Sequence, residues 1–139
     1  MIRCAPAVLA SIEAHARRDA PHECCGLLMG SGSRIDETVA VENRAADPTR
    51  RYEIDPSDYL GAIRRCRGTA RSVIGAYHSH PRSPAEPSET DLAAAFADFL
   101  FVIAGPVAGD LPLLIRAFRM EGGNFQPVRL VPDAEDSTT

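Results

Sequence analysis

The chain has 139 residues, 45% of them hydrophobic, and a formal net charge of −4; it is long enough to enclose a single core and too acidic for a nucleic-acid binder, which would carry a basic face. No run approaches the roughly 18 apolar residues of a membrane span, the longest being residues 99–104. The N-terminus lacks a secretory layout, which reads as a cytoplasmic chain, and in that setting the four cysteines read as free thiols and not as a disulfide framework.

Val8, Leu9, Ile12 and Ala16 recur at helical spacing, and Asp19-Ala20-Pro21 stops that helix. His15 on it lacks a partner at ligand spacing, and both it and His22 read as surface or supporting positions. Residues 26–30 and 37–41 read as two strands joined through residues 31–34. Cys24 and Cys25 should leave opposite faces of the first strand as small buried side chains. A loop over residues 43–51 leads to Asp55 as N-cap and Pro56 at the first helical position, opening a helix that should carry Tyr59, Leu60 and Ile63 inward and end at Gly68. Arg64, Arg65, Arg67 and Arg71 cluster near its end, either as a solvated terminus or as a dock for an acidic partner.

Residues 72–78 read as a strand ended by Pro81, and the chain then turns back through residues 82–87. Ser88-Glu89-Thr90-Asp91 ahead of the apolar residues 92–96 has the form of a capping box, with Ser88 as N-cap and Asp91 near the third position. Strands follow at 99–103, 113–119 and 125–130, the last two joined through residues 121–124. Strands interleaved with helices indicate an α/β sandwich in one domain over residues 1–132, with Asp133 onward as a disordered tail.

The chemistry is concentrated in His78-Ser79-His80-Pro81, Ser88 and Asp91. Residues two apart on a strand leave the same face about 6.6 Å apart, at roughly 3.3 Å per residue, so His78 and His80 can converge on one ion. Asp91 arrives as a third ligand after the turn. Two histidines and a carboxylate leave one tetrahedral position open, as in a catalytic zinc site, whereas a structural site is closed by cysteines. One zinc per chain is therefore expected on His78, His80 and Asp91. Glu23, at the start of an apolar strand, is the candidate general base, and Ser88 the candidate hydroxyl donor to an oxyanion.

Glu23, His78-x-His80-Pro81, six residues, Ser88, two residues and Asp91 together resemble the complete JAMM motif of the MPN-plus zinc metalloproteases. The resemblance continues through the first helix, the Glu-x-x-Gly-Leu-Leu strand, Asn43, Tyr52-Glu53-Ile54-Asp55-Pro56 and Arg116-Ala117-Phe118, covering about residues 5–131. It implies the cytidine-deaminase-like architecture of MPN domains, a central mixed β-sheet flanked by helices. It also implies hydrolysis of the bond after the C-terminal Gly-Gly of a ubiquitin-like or sulfur-carrier protein, releasing cysteine or a peptide extension. The competing readings are a zinc hydrolase of a small amide on the same fold and a metal-free MPN scaffold that only binds partners. A deaminase is disfavoured because its second metal half, Pro-Cys-x-x-Cys, is missing. The tail of such a substrate would be expected to add as a strand to an exposed sheet edge beside the metal, with a narrow cleft selecting the two glycines. Oligomeric state is left open.

Overall fold

The computed structural model describes residues 1–93 and 99–133, without the side chains of residues 92 and 93. Along the chain run β1 (Ile2–Cys4), α1 (Pro6–Asp19), β2 (Cys25–Ser31), β3 (Arg34–Val41), α2 (Pro56–Cys66), β4 (Ser72–Ser79), α3 (Glu89–Ala93), β5 (Leu100–Gly105), β6 (Leu114–Glu121), β7 (Asn124–Val128) and β8 (Leu130–Pro132). The strands form one mixed sheet in the order β7-β6-β5-β4-β2-β3-β1-β8. β4 is closed on both sides, antiparallel to β2 and parallel to β5. Only Arg129 separates β7 from β8, so the two ends of the strand order lie within about 7 Å of chain reach and the sheet curls round.

Alternation along the strands divides the core. Leu28, Tyr77, Leu100, Val102 and Ala104 pack with Val8, Ile12 and Ala16 of α1. Leu27, Met29 and Ala76 point the other way, against Ala62 and Cys66 of α2. Covered on both faces, β2, β4 and β5 are almost continuously buried, as strands sandwiched between helices are.

The N-cap of α2 is formed as expected, Asp55 accepting from the Ser57 N–H at 2.8 Å, and Gly68 just past the helix has φ +73°, a conformation suited to glycine. The hairpin between β2 and β3 is tighter than expected, since Ser31 pairs with Arg34. β1 forms where the sequence-based reading places no element, and β8 starts at the residue where that reading ends the strand over 125–130. Each is three residues long and exists through pairing with the other and, for β1, with β3, so no local periodicity announces it. Asp133, placed at the start of the expected tail, donates its N–H to the Cys4 carbonyl at 2.8 Å and pairs with Arg34; residues 134–139 lie outside the described residues.

Two side-chain placements differ from expectation. Leu60 and Ile63 of α2 do not face the core; they are 51% and 37% exposed, and the small Ala62 and Cys66 are buried instead. His15 is buried rather than superficial. Its Nε2 faces the Asp19 carboxylate at 3.1 Å and its Nδ1 the Tyr77 hydroxyl at 2.7 Å. The neutral ring satisfies both by donating from Nε2 and accepting from the phenol, and burial, partly opposed by Asp19, holds its pKa below the ordinary value. The Tyr77 ring crosses Gly26, where a Cβ would come within 2.2 Å of a ring carbon; only glycine fits under it.

Tyr77→Phe removes the phenol from this buried chain and leaves His15 Nδ1 without its donor. The expected outcome is a loss of about 1–3 kcal/mol of stability, read as a shift in denaturant midpoint with the slope unchanged.

Candidate metal centre

The closure of β4 between β2 and β5 fixes where its histidines stand. His78 lies in register with Cys25 on one side and Ile103 on the other, and the strand ends at Ser79. His80, one residue beyond, is held by its N–H donating to the Ala104 carbonyl at 2.8 Å. β5 approaches so closely here that a Cβ on Gly105 would stand 2.2 Å from the His80 carbonyl oxygen. Pro81 then takes the chain out of the sheet, and α3 brings Asp91 back.

The three side chains converge. His78 Nε2 and His80 Nε2 are 3.1 Å apart, and each is 3.1 Å from a different oxygen of Asp91. Ligands at roughly 2.0–2.1 Å from a tetrahedral zinc stand about 3.3 Å from one another, close to these separations. All three residues are buried. His80 Nδ1 lies 2.8 Å from the Pro84 carbonyl, which can only accept, so Nδ1 carries the proton and a neutral ring turns its Nε2 lone pair toward Asp91 and His78. Lone pairs and a carboxylate aimed at one point require a proton or a cation there.

The titration behaviour follows from the same crowding. Burial holds the His78 pKa below the ordinary value, outweighing Asp91. Burial also works against the charged forms of His80 and Asp91, but their mutual hydrogen bond and that from His78 win: His80 is raised and Asp91 is held well below the usual carboxylate range.

Glu23 stands beside this triangle. It is buried, one of its oxygens lies within 4.8 Å of a ring nitrogen of both histidines, and its Oε1 has no hydrogen-bond partner. Burial pushes its pKa up to about 7. Two overlapping donor sets are thus present, His78-His80-Asp91 and Glu23-His78-His80; the first is the tighter, and the second leaves a carboxylate oxygen free. Among the described residues, His78 Nδ1 is the other buried side-chain polar atom without a partner.

Ser88 and Asp91 form the capping box in full: the Asp91 N–H donates to Ser88 Oγ at 3.0 Å and the Ser88 N–H to Asp91 Oδ2 at 2.9 Å. The cap uses a lone pair of the hydroxyl and leaves its O–H to donate elsewhere. Residues 94–98, which include the end of the apolar run 92–96 expected to extend this helix, lie outside the described residues.

Three supporting residues carry no role in the sequence-based reading. Tyr52 stacks on His78, ring centroids 4.4 Å apart at 23°. Ser79 accepts from the Cys24 N–H at 2.8 Å, and its own N–H donates to the Cys24 carbonyl at 3.1 Å, fastening the segment next to Glu23 onto β4. Asn43 donates to the carbonyls of Glu23 and Arg51 and accepts from the N–H groups of Ala45 and Glu53, so it folds the loop carrying Tyr52 over the site. The stacking of an aromatic on a ligand has no signature in spacing, although Asn43 and Tyr52 lie in the stretches that carry the family resemblance.

Other residues fall outside the site's chemistry. Cys24 and Cys25 are fully buried, and burial pushes their thiols up to about 11 and about 12. His22 is exposed. Arg65 pairs with Glu37, and Arg71 with Asp36 and Glu37 of β3, which gives half of the arginine cluster a structural use.

Residues 5–121 match the Prok-JAB family, prokaryotic homologs of the JAB domain. A desampylase of Haloferax volcanii is 36% identical over 103 residues, 69% of this chain and 74% of its own length. A probable TtuB-protein conjugate cleaving protease of Thermus thermophilus is 32% identical over 124 residues, 89% of this chain and 78% of its own. The solution structure of a protein from Desulfitobacterium hafniense superposes with a TM-score of 0.85 at 25% identity, covering 99% of this chain and 96% of that one.

Gly105→Ala should push the His80 carbonyl away from β5 and move the imidazole with it. The expected outcome is a zinc affinity at least about tenfold weaker, the scale of lost ligand support, measured by competition with a chromogenic chelator, together with a lower melting temperature.

Proposed function

The chain belongs to the prokaryotic homologs of the JAB domain, and from that premise we propose that it is a zinc-dependent peptidase that cleaves the bond after the C-terminal Gly-Gly of a ubiquitin-like or sulfur-carrier protein. The observation that carries this reading is the buried His78-His80-Asp91 triangle with the unpaired Glu23 carboxylate beside it. The names of the two relatives, a desampylase and a protease that cleaves TtuB-protein conjugates, support the substrate class. A scaffold that only binds partners has no use for a complete donor set and a base, and is disfavoured. We read residues 1–132 as one catalytic domain. Among the described residues no helix is long and apolar enough to cross a membrane; four free, buried cysteines favour a cytoplasmic setting.

His78, His80 and Asp91 would hold the zinc, which when bound polarises the scissile carbonyl as a Lewis acid and makes water acidic enough to attack near neutral pH. Glu23, with a pKa brought near neutrality by burial, takes the proton of the attacking water and returns it to the leaving amine. Ser88, its Oγ already fixed as a helix cap, points its remaining O–H at the carbonyl oxygen as charge develops there. Asp91 and the Pro84 carbonyl keep the His80 ring oriented.

Purified protein is expected to hold one zinc per chain and to cleave carrier fusions after Gly-Gly. His78→Ala and Asp91→Ala should lose most of the metal and the activity; full zinc content in both variants would overturn the ligand assignment.

Glu23→Gln is expected to keep zinc while turnover falls by roughly 10²–10⁴. It should also stabilise the metal-free protein at alkaline pH. With a folded pKa near 7 against about 4.3 in the unfolded chain, the folded state binds a proton between these values that the unfolded state does not. Raising the pH through that window therefore removes up to about 4 kcal/mol of stability. Thermal unfolding in chelator should give the variant the higher midpoint at pH 8, with the difference vanishing below about pH 4, where the carboxyl is protonated in both the folded and the unfolded chain.

A further inference from the structure

A pocket of about 700 Å³ opens next to the metal centre on the same face of the sheet. Its floor is a single row across three strands, Leu27, Ala76 and Phe101, which are mutual register partners. The next row along the same strands is Cys25, His78 and Ile103. Two residues of β4, roughly 6.6 Å of strand, therefore separate a metal-ligand candidate from the pocket floor. Tyr52 forms the wall between them, since it both lines the pocket and stacks on His78.

The outer wall comes from α2, through Tyr59 and Leu60. Leu60 and Ile63, three apart on one helix face, have no core to cover them and remain 51% and 37% exposed. An apolar stripe left open along a cavity beside a catalytic centre marks a surface that a ligand covers. Among the described lining residues only Glu53 is charged, which disfavours an acidic side chain.

We propose that this pocket takes an apolar side chain of the substrate's tail, that of the third or fourth residue from the carrier's C-terminus. The inference rests on the carrier-peptidase reading above. Two extended glycines span about 6.6–7 Å at roughly 3.3–3.5 Å each, the same as the distance along β4 from the metal row to the pocket row. Gly-Gly thus bridges the passage beside Tyr52, where a side chain would meet its ring, and the first residues that carry side chains arrive over Leu27, Ala76 and Phe101. β4 is closed by β2 and β5, so the strand that carries His78 offers no edge of its own for the expected strand addition, and a side-chain anchor adds to recognition.

The probes are eight-residue peptides ending in a Gly-Gly carboxylate, with Leu or Ser placed in turn at the third and fourth positions from the end, titrated against the zinc-loaded wild-type enzyme. Leu at one of these positions is expected to bind about tenfold or more tightly than Ser, and Leu60→Asp, at an exposed rim position, to reduce that preference at least threefold. Equal affinity for Leu and Ser peptides overturns the pocket assignment, as does a preference that Leu60→Asp leaves untouched. Carrier fusions carrying the same substitutions separate the two readings. Cleavage without Leu/Ser discrimination rejects the pocket and keeps the peptidase, while selective peptide binding with no fusion cleaved keeps the pocket and rejects the peptidase.

Discussion

A buried carboxylate that faces two imidazole nitrogens at 3.1 Å sets the terms for the rest of this molecule. Three donor side chains withdrawn from water are costly unless something positive sits among them, and their positions must be held from outside the cluster. His78 receives this from the flanking strands, His80 from the Ala104 and Pro84 carbonyls, and Asp91 from the Ser88 N–H. Each support uses a backbone group, so the geometry depends on the chain path more than on further side chains. This is how a protein of 139 residues carries a preorganised site.

β4 does two jobs through alternation. Tyr77 turns into the core around α1 and closes the His15-Asp19 network, while His78 turns to the other face and into the site. The register that anchors one face therefore sets the other, because a one-residue slip would exchange them. Gly26 and Gly105 are two of the places where this arrangement leaves no room for a Cβ, under the Tyr77 ring and against the His80 carbonyl. Both mark close approaches to β4 or to the residue just beyond it.

Much of this is legible in residue order because it is local. The His-x-His period, the Ser88-Asp91 box and the Asp55-Pro56 helix start are written within a few residues, and the structure forms all three. What is missed is made at long range. β1 and β8 are too short for a pattern and exist through pairing with distant strands. His15 gains its role from Tyr77, 62 residues away. The misplacement of Leu60 and Ile63 has a different cause: helical periodicity reports an apolar face, and that face is read as core by default, whereas here small residues fill the core contact, the larger ones stay exposed and Leu60 borders a cavity. The closure of β4 by β2 and β5 is likewise made at long range, since its position in the sheet order is not encoded near His78.

Glu23 shows what the remaining irregular segment is for. It lies in the stretch between α1 and β2, outside any regular element, yet its backbone is tied on each side: its N–H donates to the Pro48 carbonyl, its carbonyl accepts from Asn43, and Cys24 is fastened to Ser79. The side chain, in contrast, keeps an oxygen without a partner. In the proposed reaction Glu23 would meet two different atoms in turn, the attacking water and the leaving amine, and a carboxylate locked into hydrogen bonds at both oxygens would be well placed for neither transfer. A fixed backbone with a free carboxylate oxygen meets both needs. Burial raises the pKa toward neutrality, which keeps the proton exchangeable in both directions, and the stability given up by burying a carboxylate is the cost of that reactivity.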